Sequence, residues 1–321
     1  MEGGLILGAL EALSPLTLLI SLAVLLLLIA YFTTRDKNLP PGPVGLPYFG
    51  YWPFMNNSNC HLKLHELRKK HGDVFSFKCT GRLFINLGSL KAVREALLTK
   101  SEYFGDRVMD YNLMTHLFRD DKILMGSLMQ FMADGVLSVA SIIGLQIKNL
   151  IDRPEEQEKI YKEIIEVVGQ DRQPVLEDKG KLIYSNAYMQ ETFRTVDFFN
   201  FFMSQECTKE TTLGGYRIPK GAILLLNFYS CNHDTEVYEE EEKFNPSRFI
   251  TKEGKKRPEL PLIFGIGKRS CLGEGFVMTQ IFLMLSTLIQ NFHLSLSEDS
   301  KKLSMEVFFS GNLPVCAKPR Q

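Results

Sequence analysis

Residues 12–34 carry no charge, and 16–32 is an almost unbroken run of Leu, Ile, Val and Ala. About 20 apolar residues cross a bilayer as a helix, so the run predicts a transmembrane helix, an N-terminal signal anchor over residues 1–34. A cleaved signal would have a shorter apolar core behind a basic leader. Here the leader holds Glu2 and Glu11 and no Lys or Arg, whereas Arg35 and Lys37 follow the run. That asymmetry predicts a single pass with the N-terminus in the lumen and the remainder in the cytosol. It also keeps the formal glycosylation sequon at Asn56, Asn57 and Ser58 away from the lumenal transferase. Residues 39–43 read Leu-Pro-Pro-Gly-Pro, and Pro47 follows. Prolines fix φ and refuse helix, so 35–48 is expected to be a stiff extended hinge.

Beyond the hinge the hydrophobic period alternates between helix and strand. Residues 60–71 read as an amphipathic helix stopped by Gly72, and 74–79 and 83–87 alternate like two strands about Gly81. Ser89 is placed to cap a helix through Thr99 that turns Ala92, Val93, Ala96 and Leu97 to one face. Residues 122–151 read as one long apolar helix. Pro154 opens the next, through Val168, with Ile160, Ile164 and Val167 on one face and Gly169 as its stop. A third covers 184–195. Residues 213–223 have hairpin chemistry in Gly214, Gly215 and Pro219, 277–292 is a strongly apolar helix, and 303–315 reads as strands about Gly311 and Asn312. The pattern predicts a mainly α fold with small β-sheets (α+β). Lys plus Arg equal Asp plus Glu at 37 each, so the chain lacks the basic excess of a nucleic-acid-binding protein.

The chemistry concentrates in residues 264–273, Phe-Gly-Ile-Gly-Lys-Arg-Ser-Cys-Leu-Gly. Gly265, Gly267 and Gly273 permit backbone conformations that a Cβ resists, and they let amides approach the Cys271 sulfur. A thiolate presented in this way suits a large flat ligand; a buried structural cysteine is the bland alternative. Cys60, Cys79, Cys207, Cys231 and Cys316 show neither metal-ligand spacing nor a disulfide framework, and read as thiols of a reducing compartment. Glu191 and Arg194 form an E-x-x-R on one helix face, a spacing that a solvated surface pair also satisfies. Phe244-Asn245-Pro246-Ser247-Arg248-Phe249 follows downstream.

The loop resembles the haem-ligand loop of the cytochrome P450 superfamily, F-x-x-G-x-R-x-C-x-G, at every fixed position, and 244–249 match that superfamily's F-x-P-x-R-F. The resemblance implies haem b with Cys271 as axial thiolate, Phe264 packed over the sulfur, Gly265, Gly267 and Gly273 shaping the loop, and Arg269 on a haem propionate. A thiolate pushes electron density onto haem iron and favours O–O cleavage. Glu191, Arg194 and Arg248 are implied to form a network behind the loop, better read as fixing architecture than as adding stability. On the distal side the superfamily has A/G-G-x-D/E-T-T/S; here that stretch is Asp134-Gly135-Val136-Leu137-Ser138-Val139. Ser138 stands for the hydroxyl and Asp134, one turn earlier, for the acid that Leu137 has displaced, with a capping or solvent-facing Asp134 as the alternative. Both are therefore the candidate proton-delivering residues.

Two further departures stand out. Residues 204–206, Ser-Gln-Glu, replace a segment that usually brings a base to a propionate; a Glu206 carboxylate there is expected to repel it and weaken haem retention, unless the strand is oriented differently. The superfamily's W-x-x-x-R is absent, since Trp52 is the one tryptophan and it lies near the hinge. The resemblance breaks between Thr115 and Asp121, as in a P450 fold with a large internal deletion. It divides the chain into anchor (1–34), hinge (35–48), β-rich region (49–118) and haem-binding core (119–321). The implied function is that of an endoplasmic-reticulum monooxygenase acting on a lipophilic small molecule, steroid- or terpenoid-like, with O2. Its electrons would come from an NADPH-dependent P450 reductase and from cytochrome b5. Two alternatives are a membrane-tethered, catalytically silent truncated form, and a haem-thiolate isomerase or dehydratase that does not activate O2.

Overall fold

The computed structural model describes residues 15–33, 36, 38–55, 59–107, 131–132, 134–195, 204–251, 259–297 and 315–320. The sequon, residues 122–130 of the expected long helix and residues 303–314 of the tail lie outside them.

The apolar run forms helix α1 (Pro15–Thr33), on which Leu19, Ile20, Leu22, Val24, Leu25 and Leu26 are all exposed. After the prolines, helix α2 (Cys60–His71) ends at Gly72, whose φ of 93° most side chains would resist. Strands β1 (Val74–Cys79) and β2 (Arg82–Leu87) then pair antiparallel about Gly81. The Ser89 hydroxyl accepts from the Ala92 amide and caps α3 (Leu90–Arg94), which widens into a π-helical turn over Glu95–Thr99. Ala92, Val93, Ala96 and Leu97 are buried, as their spacing predicts, although one continuous α-helix is not formed.

β2 is paired in parallel with β7 (Ile223–Leu226), and β7 pairs antiparallel with β4 (Gln205–Glu206), which pairs with β3 (Asp106–Arg107). The resulting sheet has the order β1-β2-β7-β4-β3, so it draws strands from both halves of the chain. β5 (Thr211–Leu213) and β6 (Tyr216–Ile218) form the hairpin expected at Gly214 and Gly215. Both glycines have positive φ, at 56° and 82°, as a two-residue turn requires. One core lies around the sheet: Ile85, Leu87, Val93, Phe104, Leu224 and Leu226.

A second core joins four helices: α4 (Val139–Asp152), α5 (Pro154–Val167), α6 (Ile183–Thr195) and α8 (Glu274–Asn291), with Leu150, Ile160, Ile164, Tyr188, Ile281 and Ile289 fully buried. Short α7 (Phe228–Asn232) sits between the sheet and α2. β8 (Phe292–Leu296) pairs with β9 (Val315–Pro319) to close the chain. The fold is α+β, helical around the second core and with three small sheets among the described residues.

Candidate functional site

The E-x-x-R spacing becomes a closed network. Arg194 Nε and Nη2 donate to the two Glu191 carboxylate oxygens at 2.8 and 2.9 Å, and both side chains are fully buried. The short 3-10 turn Pro246–Phe249 brings Arg248 Nε to the same carboxylate at 3.2 Å and the Asn245 amide to it at 2.8 Å. The free ends of both guanidiniums are absorbed by backbone carbonyls: Arg194 by Asn232 and Lys243, Arg248 by Glu239, Glu240 and Lys243. A buried carboxylate with this many donors has its charge answered on all sides, which a surface pair does not need. The Arg194 guanidinium also lies 5.4 Å over the Tyr238 ring, whose phenol burial pushes well above its usual range.

The network reaches the cysteine loop through Asn232. Its Nδ2 donates to the Leu262 carbonyl and its Oδ1 accepts from the Leu262 amide, both at 2.8 Å. Two residues on, Phe264 sets its ring edge-on to Phe193 of α6, centroids 5.9 Å apart, and its carbonyl accepts from the Cys271 amide at 2.7 Å. The ring therefore keys the loop onto the E-x-x-R helix. Gly265 and Gly267 have φ of 73° and 77°. A Cβ at Gly267 would stand 2.5 Å from the Leu97 carbonyl oxygen, so the loop lies against the π-helical turn at a distance only glycine allows. Gly273 lies beside the thiol, where a Cβ would be 3.9 Å from Sγ. Cys271 itself is partly exposed. Arg269 is exposed and its Nε donates to the Gly105 carbonyl at 2.7 Å.

The distal stretch departs from regular helix. Asp134–Ser138 is a π-helical turn leading into α4, and the Leu137 carbonyl accepts from the Ser141 hydroxyl at 2.7 Å. Ser138 is half-buried; the side chain of Asp134 lies outside the description. Phe131, Met132, Val136 and Leu137 are 66–68% exposed. Residues 135–152 are long and apolar enough to cross a membrane, yet Val139, Ile142, Leu145 and Leu150 are buried in the second core. This is a core helix with one uncovered side.

At 204–206 the short strand β4 separates the side chains of Gln205 and Glu206. Successive strand residues point to opposite faces, and it is Gln205, 1% exposed, that lines the cleft with Lys268 and Arg269. The Glu206 carboxylate instead passes near Gly221, where a Cβ would lie 3.9 Å from it. Sequence reading also missed Asn232, which no motif marks, and Asn245, which lies inside the F-x-P-x-R-F pattern and caps its turn.

Residues 40–127 and 115–315 match the family model described as Cytochrome P450. The chain belongs to the cytochrome P450 family. It is 34% identical over 217 residues to "Cytochrome P450 1A1" of Canis lupus familiaris, covering 67% of this chain and 40% of the dog protein. The same-named protein of Felis catus is 31% identical over 248 residues, covering 76% and 45%, and that of Oryctolagus cuniculus 34% over 213, covering 65% and 40%. The chain thus spans less than half the length of these relatives. The P450 match divides into two segments that meet over 115–127, across the join read between Thr115 and Asp121.

P450 proteins carry haem on a cysteine thiolate, and the residues here fit that group. Cys271 is reachable on a loop with close backbone approach, Arg269 is exposed two residues before it, and exposed apolar residues stand in the turn that leads into α4. The cysteine supplies the charge, the apolar residues suit a porphyrin, and the exposed Arg269 cation suits its polar edge.

Proposed function

We propose that this chain is a haem-thiolate monooxygenase held on the endoplasmic reticulum membrane, acting on a lipophilic small molecule of steroid- or terpenoid-like character. Its electrons come from an NADPH-dependent P450 reductase, with cytochrome b5 as a second donor. The observation that carries the reading is the unbroken chain of contacts from the buried Glu191–Arg194–Arg248 network through Asn232 and Leu262 to the Phe264–Cys271 turn. Haem, when bound, supplies the one-electron and dioxygen chemistry. Cys271 holds its iron and Arg269 meets a propionate. Phe264 and the three glycines hold the sulfur in place, and Ser138 with Asp134 hold and pass protons on the distal side.

Membrane attachment is supported by α1, whose 19 uncharged residues rise about 28 Å, close to the hydrocarbon thickness. From the end of the hinge onward, Val44, Leu46, Tyr48, Phe49, Trp52 and Phe54 are exposed, aromatic-rich surface of the kind that settles at a lipid interface. A second reading, the tethered but catalytically silent form, is favoured by the uncovered distal face of Phe131, Met132, Val136 and Leu137, since no pocket roof lies over it among the described residues.

The test is the ferrous–carbon monoxide difference spectrum of the chain in membranes. A thiolate-type red-shifted Soret band that Cys271→Ala abolishes is the expected result. A protein that reaches the membrane and shows no such band overturns the haem-thiolate reading. A band without substrate-supported NADPH consumption selects the isomerase or dehydratase form, and the absence of any band is what the silent form predicts.

A further inference from the structure

We propose that Arg68 is a positioning residue for the haem thiolate: it fixes α7, and through Asn232 of α7 it sets how firmly Cys271 stays on the iron. The inference rests on the reading of Cys271 as haem ligand. Arg68 leaves the last turn of α2 with its side chain only 13% exposed, and it reaches across to α7. Its Nε donates to Asp73 at 2.7 Å, Nη1 to the Ser230 carbonyl at 3.0 Å and Nη2 to Asp234 at 2.8 Å. Asp234 is itself buried, so its charge is answered by this guanidinium and by the Glu236 amide rather than by bulk water. The stem of Arg68 passes over Gly88, just beyond β2, where a Cβ would lie 2.7 Å from its Cδ. The backbone there leaves a slot that this side chain fills.

A helix as short as α7 gains little from its own hydrogen bonds, and its last carbonyls lack partners inside it. Arg68 supplies a donor to that of Ser230 and holds Asp234 just beyond the helix end. Asn232 stands midway between these two anchors. Its carbonyl accepts from Arg194 at 3.0 Å, and its side-chain amide brackets the backbone of Leu262, which leads into the Phe264–Cys271 turn. Arg68 therefore acts on the sulfur through Asn232, and neither the cysteine-loop motif nor the E-x-x-R pattern includes it. Without the guanidinium, Asp234 keeps a buried charge that has lost its cation, and the stretch from Ser230 to Asp234 must shift to answer it. The clamp on Leu262 loosens with that shift, and a loop free to retreat gives up the iron more readily.

The experiment uses the full chain in membranes, reduced under carbon monoxide. It reads the ratio of the unshifted Soret band, from haem that has lost its thiolate, to the red-shifted thiolate band. Arg68→Gln is expected to raise this ratio about tenfold, and Arg68→Lys, which keeps the charge without the fork, to raise it less. A purely structural loss would lower both bands together, so a ratio within about twofold of the parent overturns the proposal. In an Asn232→Ala background the route is already cut, and Arg68→Gln should then change the ratio by less than about twofold; a further rise of about tenfold there overturns it. Should Arg68→Gln lose its far-UV circular dichroism, Gly88→Ala decides, since it displaces the Arg68 stem and removes no charge. A rise of about threefold supports the proposal, and an unchanged ratio overturns it. Cys271→Ala separates the two readings. If it keeps the thiolate band, the ligand assignment fails and this inference with it. If it loses the band while the Arg68 ratios stay flat, only Arg68 is wrong.

Discussion

Arg194→Ala is the sharpest test of the network. The substitution leaves the Glu191 carboxylate fully buried, with the Asn245 amide and Arg248 as its remaining donors, and strips the carbonyls of Asn232 and Lys243 of the Arg194 bonds. Removing one partner of a buried ion pair costs about 3–5 kcal/mol, because the other charge stays in place without its water. A domain has only about 5–15 kcal/mol in total, so the loss is a large share of it. Arg248→Ala is the comparison. Its side chain is 10% exposed and its removal leaves Arg194 still forked on Glu191, so about 1–2 kcal/mol is expected. The assay is urea unfolding followed by far-UV circular dichroism, with the double variant completing a cycle. Because Arg194 also holds the Asn232 carbonyl, and Asn232 clamps Leu262, the same variant is expected to lose the Cys271-dependent Soret band. A loss below about 1 kcal/mol, with the band intact, would falsify the claim that this network holds the loop.

Two other expectations follow from single sites. Gly267→Ala forces a Cβ to 2.5 Å from the Leu97 carbonyl at a φ of 77°, and should cost at least about 1–2 kcal/mol and lower haem uptake. Gly275→Ala, with nothing within 4 Å in the first turn of α8, should be neutral or slightly stabilising; equal thermal melts for the two would refute the close-approach argument. His65, whose Nδ1 lies 3.0 Å from the Ser230 hydroxyl, has its pKa pulled down to about 4 by burial and then by the charges of Lys69 and Arg68. The unfolded ring titrates near 6.5, so its contribution is present above that pH and is lost as pH falls through about 4. Half-exposed as the ring is, the effect is roughly 1–2 kcal/mol. His65→Gln should flatten the stability curve between these limits, and an unchanged slope would discard the assignment.

What the sequence carried was whatever a short spacing encodes. Glu191 and Arg194 stand at i and i+3, so any helix puts them on one face. Gly265 and Gly267 announce a left-handed backbone, and Ser89, Gly72, Pro154 and the glycine pair at 214–215 mark ends and turns by the conformations they favour. What it could not carry was pairing at a distance. Nothing in residues 82–87 says that they lie parallel to 223–226, or that 205–206 complete the same sheet, because a strand's pattern fixes its faces and not its neighbour. Asn232 was invisible for the same reason: its amide matters only once Leu262 is opposite it. The π-helical turns at Glu95–Thr99 and Asp134–Ser138 were hidden too, since apolar periodicity reports a helical face without resolving a locally widened turn.

The segment 204–206 lies where these two limits meet. Reading 204–206 as a segment treated its charge as belonging to the whole stretch. On a strand, charge belongs to a face, and one residue of register decides which side chain looks at the cysteine loop. The backbone pairing of Gln205 with Leu224 and of Glu206 with Ile223 sends the amide toward Arg269 and the carboxylate toward Gly221. A Glu206→Gln change should then leave haemin uptake unaltered, as a Soret titration of parent and variant would show, and a strengthened uptake would put the carboxylate back on the side of the cysteine loop.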